Sequence, residues 1–209
     1  EQVENQPTAP SRENDPTARP KVAYLLADAG IGFRDSRKGC SIHARSMVRA
    51  FEQEGCEVDV YVMRSGRGPD HGFKVMSAKQ SSLTRWWLRY MSGSRRWTRR
   101  LPFLKSPGKL DNYLTALGWK LWQRDYFRYV CRKFSGRPPD LIYARSAWFA
   151  WPYAKLKKQF GTPLLLEVNA IISKEKRNRG ESAFDSHARR IEKELFECSD
   201  RILPVSAEL

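Results

Sequence analysis

Apolar residues fill an unbroken run at 22–27, and a loop follows that carries Gly30, Gly32 and Gly39 among polar and charged neighbours. Beyond it, apolar positions at Ile42, Met47, Val48, Ala50 and Phe51 recur at helical spacing until Gly55, a residue suited to a helix C-terminus. Residues 57–62 then alternate polar and apolar, as a strand does. The pattern predicts strand, glycine loop, helix, strand. Such a βαβ unit has parallel strands and leaves a ligand crevice at their carboxyl ends.

The alternation continues downstream. Residues 73–76 predict a short third strand, and apolar positions from Leu110 through Leu114, Leu117, Leu121, Val130 and Phe134 predict a long helix that Gly136, Pro138 and Pro139 end. A buried strand at 141–144 closes on Arg145, a helix at 148–160 stops at Gly161, and a strand at 164–168 ends at Asn169. A helix at 183–197 and a strand at 201–205 complete the series. Repeated strand–helix alternation predicts an α/β fold with a doubly wound parallel sheet in a single domain over 21–209. Residues 1–20, with Pro7, Pro10, Pro16 and Pro20 among polar neighbours, predict a disordered leader.

A length of 209 residues with 41% hydrophobic content suits one core and is short for two. The chain starts without Met and stops directly after an apolar run, so it is expected to be a fragment or one domain of something longer. Four cysteines, Cys40, Cys56, Cys131 and Cys198, show neither C-x-x-C spacing nor a cluster with His, so no zinc site or disulfide framework is indicated and a reducing cytoplasm is expected. No stretch approaches the roughly 20 apolar residues of a membrane span. The net charge of +15 points to an anionic partner: nucleic acid, anionic lipid or a phosphorylated substrate.

Much of that charge sits at 81–105, where Arg85, Arg89, Arg95, Arg96, Arg99 and Arg100 interleave with Trp86, Trp87, Tyr90 and Trp97 and no acidic residue intervenes. Arginine pairs with phosphate, while Trp and Tyr stack on bases or settle among lipid headgroups, so an anionic membrane surface, a lipid-linked substrate and nucleic acid are all open. The alternative is plain packing of the aromatics beneath a solvated basic face.

Residues just past the strand ends face the crevice: Asp28 and Gly30, Arg145, Glu167 and Asn169, and Ser206. Arg145 suits a phosphate or carboxylate clamp, or an ion pair with a neighbouring acid. Asn169 suits a sugar hydroxyl or a turn, and His43, close to the glycine loop, suits a ligand anion or an ordinary surface. The glycine loop itself reads as an anion site at a helix N-terminus or as a tight turn. Its spacing is not the dinucleotide G-x-G-x-x-G, and no P-loop, H-E-x-x-H or G-x-S-x-G is present.

Several segments together resemble the N-terminal half of glycosyltransferase family 4 enzymes: KGCSIH at 38–43, GCEVDV at 55–60, PDLIYAR at 139–145, GTPLLLEVNA at 161–170, and Ile191-Glu192 through SDRILPVS at 199–206. The likeness is looser over 73–136, and Lys38-Gly39 stands where the family commonly has two glycines. Arg145 and Asn169 stand where it commonly has histidines. The resemblance implies a Rossmann-like single domain, the N-terminal half of a two-domain GT-B fold whose C-terminal donor domain is absent, with a basic-aromatic variable region at about 77–136. It implies a retaining, hexosyl-type transferase that moves a sugar from a nucleotide-sugar to a glycan or lipid-linked acceptor in surface polysaccharide or glycolipid synthesis, without a cofactor or essential metal. This chain alone is expected to be inactive.

On that reading Gly32, Lys38, Gly39 and Cys40 form the donor diphosphate loop, His43, Arg145, Glu167 and Asn169 line the acceptor side of the cleft, and Arg85, Trp86, Trp87, Arg89, Arg95, Arg96, Trp97, Arg99 and Arg100 meet a membrane or anion. The expected place is the cytoplasm, at the inner face of the membrane. The rival reading is a non-catalytic basic α/β module for nucleic acid or a protein partner.

Overall fold

The apolar runs at 22–26, 141–145 and 164–168 become strands largely buried on both faces, whereas the run at 201–204 becomes an exposed strand at the sheet edge. The computed structural model describes residues 18–35, 37–69, 71–98, 107–181 and 183–205, with the backbone alone over 91–98 and 107–110. Six strands, β1 (Lys21–Leu26), β2 (Glu57–Val62), β3 (Val75–Ser77), β4 (Leu141–Arg145), β5 (Leu164–Val168) and β6 (Arg201–Pro204), form one all-parallel sheet in the order β3-β2-β1-β4-β5-β6. The chain steps outward from β1 in one direction and then in the other, so the order reverses between β1 and β4. That is the switch point at which open α/β sheets bind ligands. The expected doubly wound, Rossmann-like sheet is present.

The helices are α1 (Gly39–Gln53), α2 (Ser82–Thr98), α3 (Pro107–Gly136), α4 (Trp151–Phe160), α5 (Ile172–Asn178) and α6 (Asp185–Cys198). Successive strand side chains point to opposite faces, and β1 divides accordingly. Ala23 and Leu25, with Ala27 just beyond, join Tyr126, Val130 and Phe134 of α3, Tyr153 and Leu156 of α4 and Leu195 of α6 in one core. Val22, Tyr24 and Leu26 pack with Ala44 and Val48 of α1, Val60 and Phe33 in the other. Each large apolar side chain fully buried in these cores contributes about 1.5–3 kcal/mol relative to exposure. Because both faces are covered, β1 reads as a continuous apolar run instead of an alternating one.

Several boundaries move for physical reasons. The helix expected from 148 begins at Trp151, because Phe149 adopts a left-handed backbone (φ 55°) and Pro152 favours the first turn. Residues 82–98, assigned no element from sequence, form α2, and the short α5 also escaped the pattern. The third strand lies at Val75–Ser77, slightly past the expected 73–76. Of the expected leader, residues 1–17 lie outside the described residues, and the Pro20 carbonyl already accepts the Glu57 N–H at 2.8 Å. Among the described residues no helix is long and apolar enough to cross a membrane.

Charge also stitches the sheet away from the crevice. The buried Asp59 carboxylate on β2 lies 3.2 Å from Lys21 Nζ of β1 and 2.7 Å from Lys74 Nζ. Burial alone would push this carboxyl up, but the Lys74 and Lys21 ammoniums outweigh it and hold it below the usual Asp range. A carboxyl depressed by folding adds stability above its unfolded value, and that stability is lost as pH falls through the folded value. Asp59→Asn is expected to cost about 3 kcal/mol at neutral pH by leaving Lys21 without its partner, and to make the acid limb of stability shallower. Residual slope will come from Asp35 and Asp200, which are also depressed. Urea unfolding between about pH 3 and 7 checks this; an acid limb as steep as that of the parent contradicts it.

Candidate functional site

At the carboxyl edge of the sheet the ends of β1, β4 and β5 converge, with Leu25 opposite Ala144 and Arg145 opposite Glu167. The backbone at the end of β1 is held by side chains. Ala27 N–H donates to Tyr153 Oη at 2.7 Å, and Ala27 C=O accepts from Gln123 Nε2 at 2.8 Å. The same Gln123 amide nitrogen donates to Trp148 C=O at 3.1 Å, which ties the β4–α4 turn to the same point. A buried backbone group without a partner costs about 1–3 kcal/mol, so α3 and α4 together fix where β1 stops. Sequence reading missed Gln123 and Tyr153; the available signal was a polar residue set within the apolar stripe of a long helix.

Glu167, at the end of β5, is 2% exposed and gathers four neighbours. Tyr143 donates to its Oε2 at 2.9 Å, and Asn169 Nδ2 donates to Oε1 at 3.0 Å. Arg145 Nη1 and His43 Nε2 each lie 3.2 Å from Oε1. Four expected crevice residues, His43, Arg145, Glu167 and Asn169, are thus in one cluster. Their roles divide: Glu167 is turned inward as the organiser, whereas the other three reach it from α1 and from the ends of β4 and β5. Arg145 is its buried ion-pair partner, the structural alternative open from sequence. Yet the buried Arg145 Nη1 and His43 Nε2 have no aligned hydrogen-bond acceptor, and neither does the buried Ser146 Oγ next in the chain.

The glycine loop lies beside this cluster, since His43 belongs to α1. Lys38 precedes the helix and makes no side-chain cap, and no acidic residue sits in its first turn. The positive end of the helix is therefore not neutralised from within. Gly39 is exposed, and a Cβ placed there meets nothing within 4 Å. Gly32 differs: it is buried, and a Cβ there would stand 2.7 Å from Gly66 Cα, so it serves close packing of the loop against the β2–β3 connection. Ser41 Oγ bonds Gly32 C=O at 2.7 Å, Arg45 Nη1 bonds Phe33 C=O at 2.6 Å, and Lys38 Nζ bonds Gly30 C=O at 2.9 Å. Cys40 is half-buried at the helix start and, like the other three cysteines, is a free thiol.

Asp28, just past β1, completes the rim. Burial pushes its carboxyl up, against the Gly30 N–H and the charges of Arg145, Lys176 and Lys38. The nearby Tyr24 hydroxyl is also raised well above its ordinary value, chiefly by burial and then by Glu167. Among the described residues no group of three or more His, Cys, Asp and Glu side chains is arranged to hold a metal ion. The arrangement can bind an anion and hydrogen-bond hydroxyl oxygens.

The basic-aromatic segment is separate. Leu83, Trp86 and Tyr90, spaced along one face of α2, are each more than half exposed, with Arg85 and Arg89 exposed beside them. Trp87 turns the other way, donating its indole N–H to Leu114 C=O at 3.1 Å, and its ring lies against Gly118 of α3. It is a packing residue, not part of the exposed face. Arg95, Arg96 and Trp97 are on the α2 backbone with side chains outside the described residues, and Arg99, Arg100 and Ser206 lie outside them altogether.

Comparison with known proteins agrees with this fold. The family described as glycosyl transferase 4-like domain matches residues 38–209, which take in α1, the Glu167 cluster and all strands after β1. No curated protein matches the chain.

The cluster has a measurable consequence. Glu167→Gln keeps the shape but leaves the buried Arg145 guanidinium without a counter-charge, and is expected to cost about 3 kcal/mol, or about 6–12 °C in Tm for a chain of this size. The double change Glu167→Met with Arg145→Met removes both charges and is expected to recover much of that loss. Thermal unfolding of the variants decides it. A Glu167→Gln variant as stable as the parent contradicts the organising role.

Proposed function

The chain belongs to the glycosyl transferase 4-like family, and on that premise we propose that it is the acceptor-side half of a retaining glycosyltransferase. The donor is a nucleotide-sugar, and the acceptor is a glycan or a lipid-linked sugar of surface polysaccharide or glycolipid synthesis. One observation carries the reading. The start of α1 at Gly39, without a side-chain cap or an acidic residue in its first turn, lies at the crevice beside Arg145 and His43, which Glu167 holds side by side.

Transfer from a nucleotide-sugar releases a diphosphate, and negative charge builds on it as the glycosidic bond breaks. A helix N-terminus with an open glycine suits the developing charge, because fixed N–H dipoles stabilise it without reorganising. Gly39 allows the diphosphate close to the backbone, while a side chain there would hold it off. Lys38 and Cys40 complete this loop, and Gly32 shapes it from beneath. Arg145, His43 and Asn169 act on the acceptor side, where His43 and Arg145 offer hydrogen bonds to hydroxyl oxygens and Glu167 fixes their positions. A second domain would supply the main donor contacts, and the chain without one is inactive. The half-exposed Leu83, Trp86 and Tyr90 of α2, flanked by arginines, suit an anionic membrane surface at the cytoplasmic side, where apolar rings enter the headgroup layer and guanidiniums meet phosphates.

The test uses the full-length gene product. It is expected to transfer a sugar from a nucleotide-sugar with retention at the anomeric carbon, read by NMR of the product. Gly39→Val is expected to lower kcat/KM about 100-fold with unfolding unchanged, the scale seen when one transition-state donor is removed. Replacing Leu83, Trp86 and Tyr90 by Ser is expected to abolish sedimentation with anionic vesicles. Undiminished turnover in the first variant, or inversion, contradicts the mechanism; undiminished sedimentation in the second contradicts the membrane face.

A further inference from the structure

A second concave site opens at the same edge of the sheet, past the ends of β2 and β3, and the glycine-loop cluster does not account for it. It is a cleft of about 550 Å³, lined by Arg64 after β2, by Ser77 at the end of β3 and Lys79 after it, by Arg85 of α2 and by Trp122 of α3. The size is that of a small-molecule site. Two cations from separate connections, Arg64 and Lys79, and one from α2, Arg85, line it, and among the described residues no carboxylate does. Asp35 stands 4.0 Å from Arg64 Nη2, the outer limit of an ion pair. Arg85 Nη2 lies 3.5 Å from the Ser82 hydroxyl. Trp122 adds a wall and a donor, for its indole N–H is buried without an acceptor.

The cleft is held rigidly against the glycine loop. Phe33 N–H donates to Arg64 C=O at 3.4 Å and Arg34 N–H to Ser65 C=O at 2.6 Å, while the close approach of Gly32 to Gly66 locks the two loops together. Ala78 N–H donates to Val62 C=O at 3.0 Å and fixes the base of the β3 side. A ligand in this cleft would therefore lie next to one bound at the start of α1, as an acceptor must lie next to its donor.

We infer that this cleft seats a phosphate or diphosphate group on the acceptor, gripped by Arg64, Lys79 and Arg85, with Trp122 as its wall. The inference rests on the transferase reading and narrows its acceptor to an anionic one. Guanidinium groups match phosphate oxygens in pairs and a lysine adds a point charge, whereas a neutral sugar would leave three cations with only the distant Asp35 carboxylate to offset them. The phosphate can belong to a lipid carrier or to a phosphorylated sugar, and binding measurements separate the two.

The protein is titrated calorimetrically with inorganic pyrophosphate, a short prenyl diphosphate and a hexose 1-phosphate. Pyrophosphate is expected to bind, and Arg64→Ser with Lys79→Ser to weaken it at least about 10-fold, the scale of one or more charge-assisted hydrogen bonds. Both side chains are exposed, so unfolding curves should match those of the parent. Trp122→Phe keeps an aromatic wall of smaller size, removes the indole N–H and is expected to weaken binding about 3-fold or more. Tighter binding of the prenyl diphosphate assigns the anion to a lipid carrier, and tighter binding of the hexose phosphate assigns it to a sugar; either supports the cleft. Affinity unchanged in the double variant, or lost only in Gly39→Val, overturns it. Because binding is read without turnover, a cleft that binds in a protein that transfers nothing counts against the transferase reading alone. Transfer together with unaltered binding in the variants counts against the cleft alone.

Discussion

One buried carboxylate organises the working edge of this protein. Glu167 sits at the end of β5, almost wholly removed from solvent, and a charge there survives only if paired and hydrogen-bonded. Its partners come from α1, β4, and the residues just past β5, so satisfying one side chain sets the spacing of three elements around the crevice. Removing it would leave a buried guanidinium unpaired and free α1 from the strand ends. Arg145 Nη1 and His43 Nε2 both approach the same carboxylate oxygen at 3.2 Å, so the guanidinium and the imidazole are held side by side at the crevice.

The rest of the fold holds that edge in place. Tyr153 and Gln123 take up both backbone groups of Ala27 where the β1 ladder ends, and the two cores press α1 against one face of the sheet and α3, α4 and α6 against the other. The glycines have different tasks. Gly32 lets two loops touch, and Gly39 leaves the start of α1 open. A side chain at Gly32 would disturb packing, whereas one at Gly39 would disturb only what binds there.

The sheet and its order of elements were legible because a doubly covered parallel sheet needs continuous apolar strands, and the runs at β1, β4 and β5 have no competing explanation. The residues past those strands, Arg145, Glu167 and Asn169, followed from topology, and the segments that resemble glycosyltransferase family 4 agree with the match over 38–209. Other features were hidden because they depend on contacts distant in sequence. Nothing local marks Glu167 as the centre of its cluster, Gln123 as the support of Ala27, or Trp87 as a packing residue while its neighbour Trp86 faces outward. Arg64, Lys79 and Trp122 come together only once β2, β3 and α3 are placed. The helix at Ser82–Thr98 was obscured by its basic composition, which reads first as a binding surface.

On the proposed reading, ligand binds at the carboxyl edge of the sheet, at the start of α1 beside the Glu167 cluster. Amide chemical-shift mapping of the isotopically labelled protein, titrated with a nucleoside diphosphate, tests it most directly. The largest changes are expected at residues 27–30 and 39–43 and at Arg145, Ser146 and Asn169. Changes gathered instead at the amino ends of the strands, around Lys21, Glu57 and Gly161, would contradict it.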